Sequence, residues 1–222
     1  MRGESRIAAS REGRARGGLA GLLLAALAGC ATPSANSITA LGWIEEKGNP
    51  PPTLERFTVC HDYGCASRTV VRLQPEEWQE IRDIFKGDIA DAAEERVRIK
   101  RAVARLEVLA GRQAGTLGDK GGTLHAIALS GQQDCVDEAV NTTTFLVLME
   151  NDGLIRRHKA QSVAWRGQLF GKVLPHVTPV MAEIETGELW AVDSSFFDNG
   201  QEPVIMPLKE WLTGWEPPNF QF

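Results

Sequence analysis

Residues 135–150 constrain the fold of this chain more than any other segment. Ala139, Val140, Phe145, Leu146, Val147, Leu148 and Met149 put apolar side chains on nearly every side of one helix. A helix with one apolar stripe can lie on a surface, but one that is apolar all round has to be enclosed by other elements. The rest of the chain must therefore supply layers to cover it. Asn151-Asp152-Gly153 marks its stop. Its start has two readings. Asp134 as N-cap, with Asp137 at the third position, puts Cys135 in the first turn. A capping box of Ser130 and Gln133 puts Cys135 one turn in.

The covering elements can be read on either side. Pro75-Glu76-Glu77-Trp78 opens a helix, with proline early and acids in the first turn. Residues 88–110 form a long helix with Ala92, Ile99, Val103, Leu106 and Ala110 on one stripe. Its charge run, Glu94-Glu95-Arg96 with Arg98, Lys100 and Arg101, reads as the solvated face. Residues 57–59 and 69–73 read as strands flanking Cys60 and Cys65. Downstream, 162–165, 169–174, 176–184 and 188–192 alternate or are apolar, and Thr186-Gly187 marks a hairpin turn. A short helix starts near Pro207, and Trp211, Trp215, Phe220 and Phe222 are expected to wrap the domain. The glycine-rich run 111–123 lacks the ending of a P-loop and reads as a mobile connector bordering any cleft at Cys135. Helices followed by an antiparallel sheet predict one α+β domain over 54–222.

Composition matters most at the N-terminus. Arg2, Arg6, Arg11, Arg14 and Arg16 precede a short apolar run, 19–28, that ends in Leu27-Ala28-Gly29-Cys30. The run is too short to span a bilayer as a folded anchor. The tetrapeptide resembles the lipobox of bacterial lipoproteins. That resemblance implies a signal peptide over 1–29, acylation of Cys30, and a tether or linker over 30–53 that includes Gly48-Asn49-Pro50-Pro51-Pro52. It also implies a protein anchored in the cell envelope and facing the periplasm. Ala31, where such proteins carry Asp when kept in the inner membrane, points to the outer one. Without the leader, 193 of the 222 residues remain, and the formal charge moves from −5 to −8 because the leader carries five Arg and two Glu. Such an acidic domain is a poor nucleic-acid binder.

The cysteines then divide. Cys30 takes lipid. Cys60 and Cys65, in Cys60-His61-Asp62-Tyr63-Gly64-Cys65, are expected to pair as a disulfide in an exported protein. A zinc reading of that pair with His61, Asp62 and His125 or His158 lacks a second Cys or His pair at ligand spacing, so neither metal nor cofactor is expected. Cys135 is left over, which marks either a reactive thiol or a small buried hydrophobe. Downstream lie His176, opening a strand, and Asp193, closing the next. A thiol at a helix start, an imidazole to take its proton and a carboxylate to orient the imidazole together make a nucleophile. His158 is the rival base.

Three pieces of the chain carry a resemblance: Gln133-Asp134-Cys135-Val136-Asp137-Glu138-Ala139, His176-Val177-Thr178, and Glu188-Leu189-Trp190-Ala191-Val192-Asp193. In this order they resemble the transglutaminase-like, papain-related cysteine enzyme superfamily. The stretch covers less than a third of the chain. The resemblance implies a buried helix carrying Cys135, packed on an antiparallel sheet carrying His176 and Asp193. It implies acyl transfer at an amide, as peptide or isopeptide hydrolysis, on a peptide or protein substrate in the envelope. The Cys135 N–H, with Gln133 as a second donor, would face the oxyanion.

Two departures stand out. Thr178-Pro179 follows the His where the family has an aromatic. A tight turn centred on Thr186-Gly187 would also leave Asp193 opposite Val180, roughly 13 Å along the strand from His176. A wider loop near Ile184-Glu185, or a bulge at Pro179, would close the gap; otherwise Asp198 or Asn199 would orient the ring. The alternative function is a non-catalytic envelope lipoprotein that binds protein or peptidoglycan with the same fold and keeps Cys135 buried.

Overall fold

In the computed structural model, residues 39–122, 130–167, 175–218 and 220 are described. The lipobox, the leader, the start of the tether, His125, the expected strand 169–174 and Phe222 lie outside them. The fold is α+β, mixing helices with antiparallel sheet.

Helix α4 (Cys135–Asn151) is the centre of the domain. Phe145, Leu146, Leu148 and Met149 are almost wholly enclosed. Each such side chain contributes about 1.5–3 kcal/mol on leaving water. Three threonines share this interior, and their hydroxyls are satisfied: Thr143 and Thr144 donate back to the carbonyls of Ala139 and Val140, and Thr142 bonds Ser194. The Asp134 cap is the one that forms. Its carboxylate accepts from the N–H groups of Val136 and Asp137, and Asp137 completes the capping box. Cys135 is therefore the first helical residue.

On one side of α4 lie α2 (Pro75–Ile84) and the long α3 (Ala92–Ala114), with the hairpin of β1 (Phe57–His61) and β2 (Ser67–Val71). The stripe Ile99, Val103, Leu106 and Ala110 is buried as expected. A four-stranded antiparallel sheet contributes Met181 and Val192 to the same core, in the order β3 (His158–Arg166), β4 (His176–Glu183), β5 (Leu189–Asp193) and β6 (Val204–Pro207). Helix α5 (Leu208–Trp211) closes its far edge.

Two expectations need correction. The folded domain starts before residue 54. Helix α1 (Ala40–Glu46), capped by Thr39, buries Ala40, Trp43 and Ile44 against Val140, Val147 and Ala160, so this part of the expected tether belongs to the core. The glycine-rich run is not a loose connector throughout. Gly122 N–H donates to the Ser195 carbonyl, and Gln132 bonds Gly118 and Lys120. At Gly121 a Cβ would stand 2.5 Å from the backbone of Phe196 and Phe197, so only glycine fits.

Candidate active site

Register decides whether the site can form. Val180 pairs with Ala191, and Ala182 with Leu189, while the Glu183 N–H donates to the Glu188 carbonyl and closes a four-residue loop over 184–187. The loop is centred one residue before the tight Thr186-Gly187 turn. Continued along the ladder, this sets Asp193 level with Thr178, two residues from His176 on the same face of the sheet. The side chains then meet: His176 Nε2 lies 2.7 Å from Asp193 Oδ2. Asp198 bonds Lys120 and the Gly121 N–H instead, and Asn199 N–H donates to the Asp119 carbonyl.

The His–Asp pair is enclosed by residues that the sequence did not assign to the site. Trp211 Nε1 donates to Asp193 Oδ2 at 2.7 Å, and Ser195 Oγ donates to Oδ1 at 2.6 Å. The rings of Phe196 and Trp211 lie 5.2 and 5.5 Å from the imidazole, and Arg166 sits over Trp211. This wall removes water from the pair. Ser195 Oγ also lies 3.3 Å from His176 Nε2. The sequence signal for Trp211 was only an aromatic-rich tail, and Ser195 had none beyond its place after Asp193.

Cys135 is partly exposed, and it faces the His176 imidazole closely enough to shift its titration. Burial would lower the imidazole pKa. The Asp193 charge and hydrogen bond, with the hydrogen bond and charge of Cys135, outweigh burial and raise it from 6.5 to about 9. Asp193 is held below its ordinary 3.8, because His176, Ser195 and Trp211 together outweigh its own desolvation. The ring is thus cationic at neutral pH, facing a sulfur on one side and a carboxylate on the other. As the first helical residue, Cys135 also has a backbone N–H with no acceptor within the helix.

Gln133 is buried, and its Nε2 donates to the Cys60 carbonyl. Cys60 and Cys65 form a disulfide. With Asp137 they bring one ligand-type atom each within 4.8 Å of one another. The sulfurs are bonded together, however, and the Asp137 oxygens accept backbone N–H groups, a donor set that does not suit a cation.

The rival His158 stands at the opposite end of β3. It pairs with Glu183, whereas Arg166 pairs with His176, eight residues or roughly 26 Å further along the strand.

Comparison with family models, with curated proteins and with solved structures gave no match.

Further buried acids lie near Cys135, on and against the first turns of α4. Ser194 Oγ donates to Glu138 at 2.6 Å, and Glu138 hydrogen-bonds Asp119. Burial, then the charges of Glu107 and Asp119, push Glu138 well above its ordinary value. Burial raises Glu107 to about 8 and Asp119 to about 7. With Thr142 and Ser194, this chain of bonds bolts the first turns of α4 to the strand end that carries Asp193.

Proposed function

We propose that this chain is a cysteine enzyme of transglutaminase-like, papain-related fold that performs acyl transfer at an amide, most simply peptide or isopeptide hydrolysis. The observation that carries the reading is the convergence of Cys135, His176 and Asp193 from a helix start and two strand ends, with His176 hydrogen-bonded to Asp193 and electrostatically coupled to Cys135. Cys135 Sγ attacks the amide carbon, and the carbonyl oxygen gathers charge beside the Cys135 N–H. The protonated His176 gives its proton to the departing amine. It then takes one from the water, or the amine, that cleaves the thioester. Asp193 holds the ring and stabilises its charge.

The lipobox-like Cys30 adds a proposed setting: a lipid-anchored protein facing the periplasm, in the outer membrane, acting on an envelope peptide or protein. The Cys60–Cys65 disulfide supports an oxidising compartment.

The test is the rate of Cys135 alkylation by iodoacetamide as a function of pH. The native protein should react at pH 6 about a hundredfold faster than His176→Ala, within the range that a coupled acid–base group supplies. Asp193→Ala should fall between the two, and Cys135→Ser should remove labelling at this position. Coincident profiles for native protein and His176→Ala would sink the reading in favour of a binding module.

A further inference from the structure

The segment that closes the disulfide has an unusual backbone. Asp62, Tyr63, Gly64 and Cys65 have φ of 65, 70, 64 and 62°, so three non-glycine residues lie in the left-handed region in one short turn. Such residues normally occur singly, because Cβ meets the following carbonyl. Strain of this kind persists only where the surroundings over-determine it.

Two constraints do so here. The Cys60–Cys65 bond ties the ends of the turn, with its sulfurs enclosed among Trp43, Val136 and Val140. The turn also points two N–H groups at a single carboxylate. Tyr63 N–H donates to Asp137 Oδ2 at 2.8 Å, and Cys65 N–H to Oδ1 at 2.6 Å. Such a concave pair of backbone donors is a nest for an anion. Here the occupant is the carboxyl of Asp137, the third residue of α4, two positions after Cys135; burial and the Asp134 charge raise it to about 7, against the pull of the Cys65 and Tyr63 N–H groups.

The same loop holds the approach to the nucleophile. Asp62 N–H donates to the Gln132 carbonyl, and Gly131 N–H to Asp62 Oδ1. Gln133 and Asn141 both donate to the Cys60 carbonyl. The residues before Cys135 and the first turn after it therefore hang from one disulfide-closed turn.

We infer that Asp137 is a positioning residue for Cys135, gripped by the left-handed turn that the Cys60–Cys65 disulfide closes, so that the reactive site assembles only in the oxidised chain. The inference rests on the reading of Cys135 as nucleophile. Oxidation of the two thiols needs a disulfide oxidant. Cys60 and Cys65 lose two electrons and two protons, one S–S bond forms, and the oxidant's own S–S bond is reduced to two thiols. A chain still reduced in the cytosol would hold an unassembled site, and export would switch it on.

The test uses the full chain, its Cys60→Ser/Cys65→Ser form and Asp137→Asn, with two readouts: amide hydrogen exchange resolved by segment, and site-resolved alkylation of Cys135 against pH. In the double serine variant, exchange over 130–138 should rise at least about tenfold while the strands holding His176 and Asp193 stay protected. Its Cys135 profile should move onto that of His176→Ala. Asp137→Asn should shift both readouts in the same direction with the disulfide intact, and it stands as the test if the double variant does not fold. Unchanged exchange over 130–138 in folded variants overturns the inference. If native protein and His176→Ala already share one alkylation profile, it is the catalytic reading that has failed. Exchange then judges the grip by itself.

Discussion

The sheet carries two buried histidine–carboxylate pairs, one at each end of the β3–β4 ladder, and they look alike at first. His158 Nδ1 lies 2.7 Å from Glu95, and His176 Nε2 lies 2.7 Å from Asp193; all four residues are almost fully enclosed. The difference is on the other edge of each ring. His158 Nε2 meets the Arg96 guanidinium, which is itself paired with Glu183 and stacked on Trp190. His176 faces Cys135, a free cysteine that is only half-buried. A buried His–carboxylate pair is therefore no signature of catalysis in itself. What separates a structural pair from a reactive one is whether the free edge faces a group that can exchange a proton with it.

The largest expected effect breaks this symmetry. His158→Ala should leave Cys135 alkylation within about twofold of native, against the hundredfold loss for His176→Ala. It should instead cost about 1.5–3 kcal/mol of stability, because Glu95 loses one hydrogen bond while keeping the N–H groups of Arg156 and Arg157. Urea denaturation and alkylation on the same samples separate the two. A comparable loss of thiol reactivity in His158→Ala would erase the distinction drawn here.

A second measurement sharpens it through pH. His176 rises from 6.5 to about 9 on folding, which corresponds to about 3 kcal/mol. Because the folded-state value is the higher one, this stabilisation is fully present below pH 6.5. It is lost as pH climbs through 9. Glu107, Glu138, Asp119 and Asp137, raised by burial, pull stability the same way as pH rises, so the native slope alone cannot be assigned. The difference between native protein and His176→Gln isolates the pair. Between pH 6 and 10 the native protein should lose about 3 kcal/mol more than the variant. Parallel curves would mean that the imidazole is not held as a cation.

How much of this was legible beforehand varies with the physics of each part. The buried helix and the order of thiol, imidazole and carboxylate were visible, because composition is local; the cap was legible only as two alternatives, Asp134 or Ser130 with Gln133, of which the first forms. The hairpin register was open: Thr186-Gly187 is a good turn signal, yet the strands join through a four-residue loop that sets Asp193 closer to His176. Strand β6 was hidden, as Val204-Ile205-Met206-Pro207 is four residues ending in proline, a run too short for alternation to show. Helix α1 follows a stretch that reads as tether. Glu95 lay in a charge run that suggested solvent, but it is buried because it caps the backbone N–H groups of Arg156 and Arg157 as well as His158. Such long-range satisfaction of a charge leaves no periodicity to read.

The smallest expected effect concerns how the two carboxylates are held. Glu95 accepts mainly backbone N–H groups, which trimming a side chain does not remove. Asp193 accepts side-chain donors, Trp211 Nε1 and Ser195 Oγ, as well as His176. Trp211→Phe keeps a ring against the imidazole but deletes one donor to a buried carboxylate. Hydrogen bonds to charged groups contribute about 1.5–3 kcal/mol, and part of that returns if Ser195 or water adjusts, so a loss of about 1–2 kcal/mol is expected. The change should act on one pair only. In a heteronuclear NMR titration, the His176 ring resonances should shift and its inflection should move from about 9, while those of His158 stay put. Movement of both histidines would show that Trp211 acts by packing the whole sheet. An unmoved His176 would show that Asp193 needs no help from the aromatic wall.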